Sequence, residues 1–386
     1  MTGNKYLDRN AYMLKGKLAK RGYDWWWHSF VGEKKETGEL RPFFIEYYVI
    51  NPALGGEKPI LGQLEAHKRQ GVKPSYAMLK AGTWCEEPLQ IHNFYGIKDF
   101  YASFDKMDVR IGECTADENH LRGFVRLSKE EVAAHPEFMS DAGEMTWDLK
   151  VSKPLTYSVG YGASKAFRNA NAFAMFWHVQ GIKCLYEGTV TVNGEEFVVR
   201  PETSYGYQDK NWGRDYTNPW IWLNCNNFTS DLTGKKLIVT SLDVGGGSPV
   251  VFGAKIDRKL LIAFYYEGQL YEYNFSKSLL SVKQEFACRE TDDAIIWDIT
   301  AVNSDSKITI NFRCPKKTMI LVNYENPDGE KNHDRLWNGG WASGELKLYK
   351  KKGKVYEVVD ELHGENGGCE YGEYDEGTAV KKARAN

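Results

Sequence analysis

Residues Glu187 to Arg200 read EGTVTVNGEEFVVR, two alternating arms around Asn193-Gly194. A period of two puts successive side chains on opposite faces of a strand, and Asn-Gly suits the positive φ angles of a tight turn, so this stretch predicts a β-hairpin. Three more hairpins are predicted: Leu260 to Phe275 turning at Glu267-Gly268, Ala294 to Phe312 turning near Ser304 to Ser306, and Gly344 to Leu362 turning at Lys350 to Lys354. Hairpins this closely spaced make the C-terminal half an antiparallel sheet system, closed into a barrel or sandwich so that its edges are hidden.

The N-terminal half is also β-rich, with Phe43 to Ile50 as a bulky apolar run ended by Asn51-Pro52. Ser128-Lys-Glu-Glu131 is a capping-box pattern that predicts a helix stopping before Pro136. A second helix is expected over Tyr6 to Lys20, and the Gly- and Glu-rich tail from Gly364 is expected to fray. The hairpin series sets a boundary near Leu185, giving an N-terminal domain over 1–185 and a C-terminal domain over 186–386. Aromatic residues reach 14%, with 12 Trp and 23 Tyr, which favours strands and apolar cavity walls over helical bundles.

Charge and motifs narrow the function. The 50 Lys plus Arg against 52 Asp plus Glu leave no cationic excess to neutralise phosphates, which argues against nucleic acid as a partner. No apolar run has the length of a signal peptide or a spanning helix, so membrane contact is at most peripheral. Seven dispersed Cys without a CxxC pair fit a reducing cytoplasm rather than a disulfide framework. The eight His are isolated, so no metal is expected. Tyr161-x-x-x-Lys165 has the spacing of the dehydrogenase Tyr-Lys pair, but no Gly-rich strand-to-helix turn exists to hold a nicotinamide, and a loop is the better reading.

Three constellations remain. In Tyr23-Asp-Trp-Trp-Trp-His28, alternation groups Asp24, Trp26 and His28 on one strand face, where a carboxyl, an indole and an imidazole are costly to bury without partners. The same tryptophans equally suit two layers of plain core. In Ser204 to Gly213, one face carries Tyr205, Tyr207, Asp209 and Asn211, with Lys210 and Trp212 pointing away. A carboxyl bordered by tyrosines and sheltered from water can hold a proton near neutrality, whereas pairing with Lys210 or Arg214 would make Asp209 a structural ion. In Pro219 to Phe228, Trp220, Trp222, Asn224 and Asn226 share a face, reading as a wall for a ligand with an apolar tail and a hydrogen-bonding head.

At these segments the chain resembles the tocopherol cyclase family. Tyr23-Asp-Trp-Trp-Trp-His28 and Tyr47-Tyr-Val-Ile-Asn-Pro52 occupy the places of a family aromatic segment and a strand ending in Asn-Pro. Tyr205-Gly-Tyr-Gln-Asp-Lys-Asn-Trp-Gly213, Trp220-Ile-Trp-Leu-Asn-Cys-Asn226 and Gly344-Glu-Leu-Lys-Leu348 are similar to later family runs, and Trp177 aligns with a family tryptophan. The Asn-Trp-Gly element is similar to that of carotenoid hydratases and other lipocalin-like cyclases. Asp24 and Asp209 stand where the family carries glutamates, Trp25 replaces a glycine and His28 a phenylalanine.

The resemblance implies an all-β fold of two lipocalin-like antiparallel β-barrel or sandwich halves with one or two short helices, and redox-neutral acid chemistry on an isoprenoid without metal or redox cofactor. Asp209 or Asp24, with His28 nearby, is then the candidate acid that protonates an alkene of a prenylated hydroquinone. Trp26, Trp177, Trp212, Trp220 and Trp222 would shelter the cation, and Tyr205, Tyr207, Asn211, Asn224 and Asn226 would hold the head group. Hydration of the cation by water, or plain lipid carriage, are the alternatives.

Overall fold

A computed structural model describes residues 7–158, 165–275, 282–322, 324–330 and 335–372. The chain forms two compact units, one of Met1–Thr83, Pro88–Tyr216 and Asn323–Asn332, the other of Trp84–Glu87, Thr217–Val322 and His333–Asn386. The division therefore falls after Tyr216 rather than near Leu185, because the strand Met175–Val192 runs unbroken through the expected boundary.

Each unit is built on an antiparallel sheet of 12 strands. In the first, Leu89–Tyr95, Tyr76–Thr83, Leu40–Ile50 and Tyr23–Lys34 run side by side. The slot beyond Tyr23–Lys34 is shared by Glu195–Val199 and Gly206–Gly213, followed by Met175–Val192, Gly143–Tyr157 and His120–Leu127. Asn93 links the far strands: its Nδ2 donates to Arg126 O and its Oδ1 accepts from Arg126 N, both at 2.8 Å. The sheet thus rolls onto itself, and Phe43, Ile45, Tyr47, Leu79, Leu149 and Phe197 line its buried interior.

The second sheet closes in the same manner. Gln269–Asn274 and Lys283–Glu290 are the ends of its hydrogen-bonded order. Gln284 Nε2 donates to Leu260 O at 2.8 Å and Tyr273 O at 3.0 Å, while its Oε1 accepts from Leu260 N at 3.1 Å. Strand pairing that wraps until a side-chain amide bridges its ends is the lipocalin-like, all-β arrangement expected. Gln284→Ala strips partners from three backbone groups beside the buried Leu260, and is expected to cost about 2 kcal/mol. A urea midpoint unchanged from the parent would show that the seam needs no such bridge.

The predicted hairpins form where expected. Asn193 and Gly194 take φ of 49° and 85° between Met175–Val192 and Glu195–Val199, and Glu267 and Gly268 take 43° and 89°. The helix Lys129–Ala134 is closed by the full Ser128–Glu131 capping box and ends before Pro136. Two expectations fail. Of the helix expected over Tyr6 to Lys20, the described residues 7–20 hold only the 3-10 turn Leu7–Arg9 and the short helix Lys17–Lys20. Residues 364–372 are not frayed, since Val355–Gly372 is one strand that pairs with both Leu336–Lys352 and Trp220–Cys225, while the rest of the tail, residues 373–386, lies outside the described residues. Tyr161 to Ser164 lie outside the described residues, and Lys165 opens the short helix Lys165–Asn169.

Candidate active site

The strand Gly206–Gly213 lies between Tyr23–Lys34 and Met175–Val192, and its alternation sorts the expected site residues onto two faces. Trp212, Lys210 and Gln208 stand opposite Asp24, Trp26 and His28, facing the interior of the first barrel. Asn211, Asp209 and Tyr207 stand opposite Trp25, Trp27 and Ser29 and face outward.

On the interior face, Asp24 Oδ1 pairs with Lys210 Nζ and Asp24 Oδ2 accepts from Met13 N at 2.8 Å. Both side chains are fully buried. Burial pushes the Asp24 carboxyl up to about 6, against the downward pull of the Lys210 ammonium. Burial likewise pushes Lys210 down to about 8, against the stabilising Asp24 charge. The ammonium lies 4.0 Å from the ring centroid of Trp26 and 5.5 Å from that of Trp212. These two indoles therefore wall a lysine on the face away from Asp209, which corrects their expected place around a substrate cation. Trp212 also stacks on Phe176 at 5.2 Å.

A polar network surrounds this pair. Asn10 O accepts from Trp26 Nε1 at 2.7 Å, Asn10 Oδ1 meets His178 Nε2 at 3.1 Å, and Asn10 Nδ2 donates to Glu118. Lys153 Nζ donates to the same Glu118 at 2.7 Å. His28, also buried, meets the Tyr186 hydroxyl at 3.0 Å through Nδ1, and burial holds its imidazole well below the ordinary range and hence neutral. Asn10, Glu118 and the Asp24–Lys210 pair form the hydrogen-bonded centre of this polar core, whereas the buried His28 Nε2 has no hydrogen-bond partner among the described residues.

The outward face is different. Asp209 Oδ2 accepts from Trp177 Nε1 at 2.7 Å and Tyr207 OH at 3.4 Å, two neutral donors, and the residue is 7% exposed. Trp177, Tyr207 and Asn211 are buried beside it. Tyr205 precedes the strand with a left-handed φ of 42°, so strand alternation does not assign it to this face.

The same face carries a cluster that none of the three sequence constellations contains. Glu46, Lys80 and His92 occupy successive strands in one cross-strand row that continues through Trp27 to Asp209. Glu46 and Lys80 side chains are 0% and 1% exposed, with Nζ 3.4 Å from Glu46 Oε2. Tyr324 OH donates to Glu46 Oε2 at 3.0 Å, reaching back across 278 residues of sequence. Rings of Tyr324, Trp27 and Phe44 lie within 4.8 to 5.7 Å of the Lys80 ammonium. The available signal was a lone carboxylate inside Phe43-Phe-Ile-Glu-Tyr-Tyr-Val-Ile50, where only a partnered or working charge is tolerated.

In the second unit, Ile221, Leu223 and Cys225 join the barrel core, leaving Trp220, Trp222 and Asn224 on the other face. Trp220 Nε1 donates to Glu370 Oε2 at 2.7 Å and Trp222 Nε1 to Asp243 Oδ1 at 3.1 Å. Asn338 Nδ2 binds the other Glu370 oxygen at 2.9 Å and its Oδ1 accepts from Trp84 Nε1 at 2.9 Å. Asn224 Nδ2 donates to Leu242 O, and Asn226 is buried between two short strands. With Trp177 on Asp209, three buried indoles thus each hold a carboxylate, a motif of which spacing revealed only the tryptophans. Among the described residues no cluster of metal-ligating side chains forms, and no helix is long and apolar enough to cross a membrane.

Two barrel-like all-β units, with carboxyl groups held by indole and phenol donors, define a protein of the lipocalin-like all-β class. The family model described as tocopherol cyclase-like matches residues 109–373, and the chain belongs to that family. The chloroplastic tocopherol cyclase of Zea mays is 29% identical over 153 residues, 36% of this chain and 31% of that protein, so the likeness spans about a third of the curated relative. Among solved structures, kievitone hydratase from Nectria haematococca covers 94% of each chain at 13% identity with a TM-score of 0.42. The protein CghA, solved with Sch210972, covers 92% of this chain and 89% of its own at 9% identity with a TM-score of 0.46. Membership makes the chain one of a family of enzymes.

Proposed function

We propose that this chain is a cofactor-independent cyclase that closes a prenylated hydroquinone, or a similar isoprenoid, to a chromanol. Asp209 is the acid. Its carboxyl hydrogen passes to the trisubstituted alkene nearest the ring, a tertiary cation forms, and the phenolic oxygen bonds to it while releasing its proton. Atoms and charge balance without an oxidant or reductant, and the product is an isomer of the substrate.

The observation that carries this choice of acid is the sorting by strand alternation. Lys210, the neighbour that spacing offered to Asp209, is committed to Asp24 on the opposite face. Asp209 instead keeps indole and phenol donors. Asp24 is the weaker candidate, because protonation there breaks its pairing with the Lys210 ammonium and leaves that buried charge uncompensated. Electron-rich faces beside Asp209, those of Trp27 and Trp177, would shelter the cation by roughly 2 kcal/mol when water is excluded. The seven cysteines, all thiols, support a reducing setting, and a cytoplasmic location with at most peripheral membrane contact is part of this proposal.

Incubation with a prenylhydroquinone followed by mass spectrometry tests the proposal. A product of unchanged mass with a chromanol spectrum is expected. A gain of one water would make the protein a hydratase, and recovery of bound, unaltered substrate would make it a carrier.

A further inference from the structure

We infer that Glu46, gripped through Oε2 by Lys80 and Tyr324, is the base that removes the phenolic proton as the ring closes, acting opposite the acid Asp209. The inference rests on the cyclase reading and adds a second proton-handling group to it. Neither Glu46 nor Lys80 lies within residues 109–373, where the family match is found.

Three observations point to it. Glu46 is fully buried, and its Oε1 has no hydrogen-bond partner among the described residues. An ionised oxygen in that condition is costly unless something with a proton meets it. Its other oxygen is fixed by Tyr324 OH at 3.0 Å and Lys80 Nζ at 3.4 Å, which orients the carboxylate and favours its charged form. Register then places Glu46 directly across from Trp27, and Trp27 directly across from Asp209, all on one face. Two strand spacings separate the carboxyl-bearing backbones by about 10 Å. Trp27 stands between them in the row, so a hydroquinone ring with its first isoprene unit would have to lie across the Trp27 side chain to meet both carboxyls.

The proton count closes. Asp209 gives one hydrogen to carbon, a C–O bond forms as the phenol O–H breaks, and Glu46 receives that hydrogen. The protein ends with Asp209 ionised and Glu46 protonated, and exchange with solvent after product release restores both. Burial pushes the Glu46 carboxyl up from its ordinary range, which strengthens it as a base, while Lys80 and Tyr324 hold it back. The other titratable groups about it are Tyr48 on its own strand, Tyr76 on the next, Glu325 beside Tyr324, and His92 beyond Lys80. Burial pushes His92 down to about 3, so it stays neutral and Lys80 is the cation of the row.

The test compares two substrates in heavy water. The free prenylhydroquinone reports ring closure, and its ether, methylated at the hydroxyl beside the prenyl chain, reports only deuterium uptake at the alkene. Glu46→Gln should lower ring closure about 100-fold or more while leaving deuterium uptake by the ether within about threefold of the parent. Asp209→Asn should lose both. Unaltered ring closure in Glu46→Gln, or an equal fall in the two readouts, would overturn the base while leaving the cyclase reading intact. A parent protein that neither closes the ring nor exchanges deuterium would sink that reading and the base with it.

Should Glu46→Gln not fold, Tyr324→Phe decides the question. Loss of its hydrogen bond disfavours the carboxylate, so the acid limb of the kcat profile, which rises with pH as the base ionises, should move up by about 0.5 to 1 pH unit. A limb that stays in place overturns the assignment.

Discussion

Asp209→Asn is expected to lower kcat for ring closure by about 1,000-fold or more, since a general acid contributes on the order of 100- to 10,000-fold and the amide has no transferable hydrogen of comparable acidity. The change is nearly isosteric. Asn Oδ1 can still accept from Trp177 Nε1 and Tyr207 OH, so the strand and its neighbours keep their contacts. Substrate affinity, followed by quenching of tryptophan fluorescence, should stay within about threefold, because the acid works on the transition state and contributes little to ground-state binding. Full retention of turnover would remove Asp209 from the reaction. Under that result Asp24→Asn becomes the decisive variant.

Lys210→Met is expected to destabilise the fold by about 3 to 5 kcal/mol, the range for removing one partner of a buried ion pair. The surviving Asp24 would sit uncompensated in the barrel interior. The pH dependence follows from the sign of its shift. Asp24 already sits at about 6 in the folded chain against an ordinary 3.8, and loss of Lys210 removes the largest influence holding it down. The folded variant therefore binds this proton above pH 6 where the unfolded chain does not. Stability that comes from the protonated carboxyl is complete below about pH 4 and is lost as pH rises through the new folded value. The deficit relative to the parent should grow between about pH 6 and pH 8, and Asp24→Asn added to Lys210→Met should recover most of it. Urea melts at the two pH values measure this directly. A deficit below about 1 kcal/mol, or one that shrinks as pH rises, would contradict the geometry.

How much of this could be read beforehand depended on how local the determining physics was. The Asn193-Gly194 turn and the Ser128–Glu131 box are each settled within a few residues, and both appear in the structure as their sequences require. The face-sharing of Asp24 with Trp26, and of Asp209 with Tyr207 and Asn211, followed from strand periodicity alone. What periodicity could not supply was which side of the strand faces the barrel interior. That fact divided the two aspartates and gave Trp26 and Trp212 to Lys210. Residues 364–372 looked like low complexity because glycine and glutamate dominate them, yet pairing on both sides outweighs their weak strand preference. Glu46 was hidden in an apolar run, and its partner Tyr324 comes from a segment no local pattern connects to it.

The return of residues 323–332 to the first unit has a consequence for synthesis of the chain. The ribosome has finished every strand of the first barrel by Gly213, but the tyrosine that caps Glu46 is translated more than one hundred residues later. Until then a nascent N-terminal barrel carries a buried glutamate lacking one of its two grips. A gene cut after Tyr216 would encode that immature species permanently, because the segment that brings Tyr324 to the first unit is encoded beyond the cut.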